Sequence, residues 1–186
     1  MDDHRMASRA GALLLSLCLL FAPARPAAGQ GANGLRTSAT IRASATVVTD
    51  RFGFAALRPV AFEASRSERS TTVLPTDPAA GQWRLVGRAS TQVRMKLTLP
   101  TALVNQQSAD APSVPILFSH TAGRLAEGVD NAAGAASFDP REGTVGRFGT
   151  GPTPTLYVWL GGTVATTAAT APGTYRGTVT LTVFYY

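Results

Sequence analysis

The chain is poor in the residues that most often carry out chemistry. Its one cysteine is Cys18, its two histidines are His4 and His120, and Lys96 is its only lysine. Residues 30–186 therefore contain no cysteine, which excludes disulfides, thiolate metal sites and cysteine nucleophiles there. One imidazole is also too few for a histidine-based metal site. We expect no cofactor and no metal, and a stability that rests on a hydrophobic core and sheet pairing.

Catalytic motifs are missing as well. No Gly-x-Ser-x-Gly sequence occurs, and a serine nucleophile would have only His120 as its base. No phosphate-binding Gly-x-x-x-x-Gly-Lys loop is present either. Two carboxylates could meet as in a glycosidase. Glu127, Asp130, Asp139 and Glu142 share a glycine-rich segment, but their spacing matches no known calcium loop. The expectation is a protein that is not an enzyme.

Positive charge is abundant but dispersed. The chain has 17 basic and 11 acidic residues and a formal net charge of +6. Its arginines occur singly, with no basic run and no aromatic residues interleaved among them. Nucleic-acid-binding surfaces typically combine clustered basic residues with aromatic residues. We therefore expect no nucleic-acid partner, and we assign the charge mainly to solubility.

The N-terminus has the pattern of a secretory signal peptide. Arg5 and Arg9 precede the apolar run of residues 10–22, and small residues follow as far as Gly29. That run is shorter than the roughly 20 residues that a transmembrane helix needs. The prediction is a cleaved signal peptide at residues 1–29 and a single domain at residues 30–186. The mature chain would have no transmembrane segment and would lie in the periplasm, at the cell surface or outside the cell.

Residues 30–186 show the periodicity of strands and no amphipathic helix. Apolar and polar residues alternate in several segments, and residues 154–160 are apolar on both faces, as in a strand buried between two layers. These patterns predict an all-β protein, an antiparallel immunoglobulin-like or pilin-like β-sandwich with little or no helix after the signal peptide. The expected strands lie near residues 37–49, 59–63, 71–74, 82–89, 92–99, 114–118, 154–160, 163–167 and 173–186.

Two segments lack this periodicity. Residues 102–106 are predicted to form one helical turn, and residues 120–151 a long loop with one strand near residues 135–138. Gly161 and Gly162 indicate a bulge or bend. Trp83 is expected in the core. Tyr157 and Trp159 share one strand face, where they could pack or could stack on sugars.

The clearest pattern is at the end of the chain. The odd positions from 175 to 185 are apolar, aromatic or glycine, while the even positions from 174 to 182 are four threonines and one arginine. A strand with this alternation buries one face. It must also be paired, because a long unpaired strand promotes aggregation.

The order of these segments resembles a known family. The segments are Asp50-Arg-Phe-Gly53, the strand of residues 93–100, residues 156–164 with their two glycines, and the Gly-x-Tyr-x-Gly sequence of residues 173–177. Together they resemble the bacterial family called domain of unknown function 4402, which is similar to spore coat protein U and to chaperone–usher fimbrial subunits. Those subunits have a glycine fourteen residues from the end and a penultimate aromatic residue, which Gly173 and Tyr185 match here.

The resemblance implies a mode of assembly. In fimbrial subunits the C-terminal strand is held by a periplasmic chaperone, and a neighbour's N-terminal extension later completes the sandwich by β-strand addition. The disulfide common in those subunits is absent here. Residues 37–49 could be the donated strand or the domain's own first strand. The residues implied in strand pairing with a partner are Gly173, Tyr175, Val179, Leu181, Val183 and Tyr185.

The expected function is therefore that of an exported structural or adhesive surface protein, similar to a fimbrial subunit. It would assemble by β-strand pairing through its C-terminal strand, with a periplasmic chaperone and like subunits as partners, and homo-oligomers as one outcome. The alternative is a monomeric extracytoplasmic module that binds carbohydrate or matrix through residues 120–151, with the tail as an ordinary last strand.

Overall fold

The computed structural model describes residues 36–47, 53–65 and 69–185. The predicted signal peptide and the turn residues 50–52 lie outside these ranges. The described residues form strands and no helix, so none of their segments is a helix that could cross a membrane. The strands are β1 (Arg36–Val47), β2 (Gly53–Arg58), β3 (Val60–Ser65), β4 (Arg69–Val73), β5 (Gly81–Val86), β6 (Gln92–Thr98), β7 (Ala102–Asn105), β8 (Val114–Leu117), β9 (Gly123–Glu127), β10 (Ala136–Phe138), β11 (Thr144–Arg147), β12 (Thr155–Leu160), β13 (Gly162–Thr166) and β14 (Thr174–Tyr185).

The strands form two sheets that share one core. The larger sheet has the order β11-β6-β14-β7-β8-β13-β4, with β1 paired to β14 and β3 paired to β1. The smaller sheet has the order β10-β9-β12-β5-β2. The predicted all-β sandwich is confirmed. One pair departs from the predicted antiparallel arrangement, because β1 runs parallel to β14.

The core lies between the two sheets and is built from alternate residues of each strand. In β6 the side chains of Val93, Met95 and Leu97 are buried, and those between them are exposed. In β5 the predicted core residue Trp83 is 1% exposed. The larger sheet and the smaller sheet both contribute to this one cluster of buried residues. The period-two patterns therefore assign the buried faces of these strands correctly.

The region of residues 120–151 is not one long loop. It contains β9, β10 and β11, and only β10 was expected. The density of glycines predicts a loop, but Gly123 and Gly146 lie within strands. A Cβ on Gly123 would lie 2.7 Å from the Phe138 ring, and one on Gly146 would lie 3.0 Å from Leu125. These glycines permit close packing, which a sequence pattern does not distinguish from a turn.

The predicted helical turn at residues 102–106 is also wrong. Residues Ala102–Asn105 form β7, in which Leu103 is fully buried and Val104 is 53% exposed. This strand pairs with β14 on one side and with β8 on the other. Its conformation is set by partners distant in the sequence, so its local composition did not reveal it.

The bend expected at the glycine pair is present. Gly161 lies between β12 of the smaller sheet and β13 of the larger sheet, so the chain changes sheets there. A Cβ on Gly161 would collide with the carbonyl oxygen of Val73. Glycine allows the two sheets to approach at this crossing.

Candidate functional site along the C-terminal strand

The predicted strand-pairing residues lie on β14 and face the core of their own domain. Tyr175, Val179 and Leu181 are fully buried, and Val183 is 7% exposed. Tyr185 is partly buried and packs against the same core. The sequence pattern therefore located the apolar face of this strand correctly. Their role in pairing with another chain stays a prediction.

The backbone conformation and the close neighbours of residue 173 both require a glycine there. Its φ of 144° is in the region that side chains rarely adopt. An added Cβ would lie 2.7 Å from both Asn105 Nδ2 and Gln107 Oε1. Asn105 is 5% exposed, and its Oδ1 accepts hydrogen bonds from the backbone N–H groups of Gln107 (2.8 Å) and Ser108 (3.1 Å). Gly173 is thus required where the chain enters β14.

The other two residues of the Gly-x-Tyr-x-Gly sequence have local contacts of the same kind. The Tyr175 hydroxyl donates a hydrogen bond to the carbonyl oxygen of Ala171 (3.0 Å). A Cβ on Gly177 would lie 2.6 Å from Leu103 Cδ2 and 3.1 Å from Pro100 Cγ. The motif therefore anchors the start of β14 against β7 and the turn before it.

Both edges of β14 are occupied within the described chain. On one edge β6 pairs with residues 180–185 and β7 continues along residues 175 and 176. On the other edge β1 pairs in parallel, in a continuous register from Ser38 opposite Thr174 to Val47 opposite Val183. While β1 is in place, its pairing therefore occupies one edge of β14 from residue 174 to residue 183.

The first strand is an interior strand of the larger sheet, paired on both of its sides. β1 lies between β14 and β3, with Ile41 opposite Gly177 on one side and opposite Val60 on the other. Ile41 is 1% exposed and belongs to the core. The period-two pattern of residues 37–49 predicts this strand but does not tell whether the strand completes its own domain. The alternation of small residues in β1 gave no signal of its parallel partner.

Tyr185 lies where β14 ends. Burial raises the pKa of its phenol to about 12, because a buried phenolate loses hydration. Tyr185 is opposite Val93 of β6. Its side chain therefore reports on the packing between the end of the C-terminal strand and β6.

The candidate catalytic and metal-binding residues of the described chain lie in several different turns and strand ends, although His120 is near enough to Asp139 to contribute to the lowering of the Asp139 pKa. His120 is exposed in the turn after β8. Among the described residues, no group of three or more histidine, cysteine, aspartate or glutamate side chains could hold a metal ion. The four carboxylates of the 120–151 region lie in different surroundings, and three of them accept hydrogen bonds: Glu127 from the Arg147 backbone (3.0 Å), Asp130 from Gln82 Nε2 (2.6 Å) and Asp139 from Arg141 (2.9, 3.0 and 3.1 Å).

The aromatic pair on β12 lies on the face opposite the core. Tyr157 and Trp159 stack with ring centroids 5.9 Å apart and planes inclined by 23°. Trp159 is only 2% exposed. Its cross-strand neighbours are Gln82 and Arg124. Gln82 binds Asp130, and Arg124 Nη1 donates to three carbonyl oxygens of residues 132–135 (3.0–3.2 Å). Of the two stacked rings, Trp159 is therefore buried and Tyr157 is half-exposed.

The chain belongs to the family described as "Domain of unknown function (DUF4402)", whose match covers residues 55–185. The matched region begins within β2 and contains every described strand from β3 to β14, so β1 precedes it. No curated protein matches the chain significantly.

Proposed function

We propose that this chain is an exported structural or adhesive surface protein that assembles by exchange of strands along β14. In the assembled form, β1 of one copy occupies the position between β14 and β3 of the next copy. A periplasmic chaperone would hold the same edge before assembly. The chain has no enzymatic role in this proposal, and residues 1–29 direct its export.

The observation that carries the proposal is the pairing of β1. This strand contributes ten consecutive register positions to β14 and six to β3. Without it, both neighbouring strands would have unpaired backbone groups, and the position of Ile41 in the core would be empty. Unpaired edges next to an open apolar groove are the geometry that β-strand addition uses.

Exchange is physically plausible because it conserves contacts. β1 from a second copy would form the same backbone pairing and place Ile41 in the same core position as the chain's own β1. The free energies of the closed monomer and the exchanged assembly then differ mainly by the entropy cost of association. A higher concentration of copies, or holding the copies close together, lowers that cost. The segment of residues 48–52 joins β1 to β2, which belongs to the other sheet.

The proposal is tested by a pair of cysteines. Thr40 and Arg176 are opposite one another in β1 and β14, and opposite residues in a sheet lie within the roughly 4.4–6.8 Å Cα separation of a disulfide. Residues 30–186 contain no other cysteine. Oxidation of mature Thr40→Cys/Arg176→Cys protein at high concentration should give a ladder of covalent oligomers on non-reducing gels.

The matched control places cysteines at Arg84 and Tyr157, which are opposite one another in β5 and β12. Neither of those strands is exchanged in the proposal, so this variant should form only an internal disulfide. If both variants give monomers under every concentration tested, the chain completes its own sandwich and the proposed assembly is wrong.

A further inference from the structure

A depression lies on the outer face of the larger sheet, near the end of β14. Arg94, Lys96, Arg141, Glu142 and Phe184 line it, and its volume is about 540 Å³. This is within the range of roughly 300–1,000 Å³ that is typical of small-ligand sites. Neither the family match nor the proposed strand exchange assigns a role to it.

The floor of the depression is built by β6 and β14. Arg94 is opposite Phe184 of β14, and it is also opposite Val145 of β11 on its other side. Lys96 lies on the same outward face, opposite Thr182. Phe184 is 46% exposed and Val145 is 53% exposed. A cationic side chain thus lies between two exposed apolar side chains in one row across three strands.

The wall of the depression is a tight turn between β10 and β11. Gly143 has φ of 81°, and an added Cβ would lie 3.4 Å from the Lys96 Cα and collide with the Met95 carbonyl oxygen. The backbone N–H groups of Glu142 and Gly143 both donate to the Asp139 carbonyl oxygen (3.2 Å each). Glycine therefore lets this turn press against β6, which places Arg141 and Glu142 beside Lys96.

Arg141 is held in a defined orientation. Its Nε and Nη2 donate to the two carboxylate oxygens of Asp139 at 3.1 and 3.0 Å. These bonds, and one from the Arg141 backbone, hold the pKa of Asp139 below its usual value. Asp139 thereby balances the charge of Arg141. Within the described part of the chain, neither Arg94 nor Lys96 forms an ion pair.

We propose that this depression binds an anionic polysaccharide. A carboxylate or sulfate of one sugar would be held by Arg94 and Lys96, and the apolar face of a sugar ring would lie on Phe184. The planar guanidinium can donate two parallel hydrogen bonds to two oxygens of a carboxylate or of a sulfate. The exposed ring of Phe184 provides an apolar surface beside those donors.

The composition of the depression favours a sugar chain over a nucleic acid. Single-stranded nucleic acid is bound by a basic groove with several aromatic residues on which successive bases stack. Here one aromatic ring and the cations Arg94 and Lys96 share a depression that Glu142 bounds with negative charge. That arrangement can bind one charged sugar and the next sugar of the same polysaccharide.

The test uses the mature chain, purified as a monomer, in titration calorimetry at low and at physiological ionic strength. The probes are a galacturonate tetramer and a heparin tetrasaccharide, with maltotetraose as the neutral sugar and tetraglutamate as the carboxylate without a sugar ring. We expect binding of at least one of the two anionic sugars and none of maltotetraose. Because heparin carries carboxylates as well as sulfates, equal binding of the two sugars would show that a carboxylate is sufficient, and binding of heparin alone would show that a sulfate is needed.

The variants are Arg94→Gln and Phe184→Ser. We expect each to weaken binding of the anionic sugar about tenfold, because the first removes a charge-assisted hydrogen bond and the second removes an apolar contact. The matched control is Arg84→Gln, which removes the same charge from an exposed strand position on the other sheet. It should change the affinity less than twofold. Circular dichroism shows that each variant is folded.

Four results would overturn the proposal. Failure of both anionic sugars to bind would exclude them as ligands of the depression. Equal losses for Arg94→Gln and Arg84→Gln would show that only net charge matters. Binding of tetraglutamate as tight as that of the sugars would exclude recognition of a sugar ring. Tighter binding of an oligothymidylate, lost with the same variants, would assign the depression to nucleic acid. All these measurements use monomers, so they are independent of whether β1 is exchanged.

Discussion

The two edges of β14 are built in different ways. One edge is covered by β6 and β7, which are antiparallel to β14, and whose other edges pair with β11 and β8. The other edge is covered by β1, which is parallel to β14 and precedes the segment that defines the family. The first edge is part of the framework of the domain. In the proposed assembly, the second is the edge at which β1 is replaced by its equivalent from another copy.

The largest expected effect is loss of folding, which a peptide should reverse for a defect in β1 but not for a defect in β14. Ile41→Asp would place a carboxylate at a core position in β1, and Leu181→Asp would do the same in β14. Each should abolish the folded monomer, because burial of an unpaired charge costs several kcal/mol. A synthetic peptide of residues 36–47 in excess should restore folding of the Ile41→Asp variant, measured by circular dichroism.

The Leu181→Asp variant is the control, since its defect lies in a strand that the peptide does not replace. Restoration of both variants, or of neither, would remove the distinction between the two edges.

A second prediction concerns the inward face of β14. Leu181→Ala should lower the free energy of unfolding by about 2–5 kcal/mol, because it leaves a cavity in the core. Thr178→Ala, on the exposed face of the same strand, should change it by less than about 0.5 kcal/mol. Urea denaturation of both variants measures the difference. Similar losses would mean that the alternation in β14 does not define the core.

Gly173 gives the third prediction. Gly173→Ala should destabilise the domain by about 1–3 kcal/mol, because an alanine at this φ is strained and its Cβ meets Asn105 and Gln107. Gly151 has no atom within 4 Å of an added Cβ, so Gly151→Ala is the matched control and should be nearly neutral. Thermal unfolding measures both. A neutral Gly173→Ala variant would leave the glycine near the chain end without a structural reason.

The smallest effect is the pH dependence of stability that we expect from Tyr185. Its pKa is raised to about 12 from the ordinary 10.0, so its contribution to stability is complete below pH 10 and is lost as the pH rises towards 12. The wild type should lose stability across that interval, and Tyr185→Phe should lose less. Chemical denaturation at pH 9 and at pH 11 measures the two slopes. Identical slopes would show that Tyr185 is not buried against β6.

The sequence predicts most strands because a half-buried strand has a local signature. The alternation in β6 and β14 identifies buried residues such as Met95 and Leu181 without any knowledge of their partners. It does not reveal which strands become neighbours. The parallel pairing of β1 with β14 joins residues more than 130 positions apart, and nothing in either segment specifies the direction of the pair.

The candidate sites also show that a local sequence pattern does not reveal which residues become neighbours in the fold. Gly173 and Tyr175 were singled out from their spacing, and the structure gives each a local packing role that the spacing could not show. Arg94, Lys96 and Phe184 were not recognised together, because Phe184 is about ninety residues from the other two and becomes their neighbour only through the antiparallel register of β6 and β14. A turn held by Gly143 completes that depression, and its glycine was read as part of a loop.

The exchange of β1 between copies is tested most directly by mixing two single-cysteine proteins. One carries Thr40→Cys and the other Arg176→Cys, and the two cysteines can meet in register only if β1 of one copy pairs with β14 of the other. After joint refolding and oxidation, we predict that the mixed disulfide dimer forms in excess over both symmetric dimers. Symmetric and mixed dimers in random proportion, or monomers alone, would contradict the account.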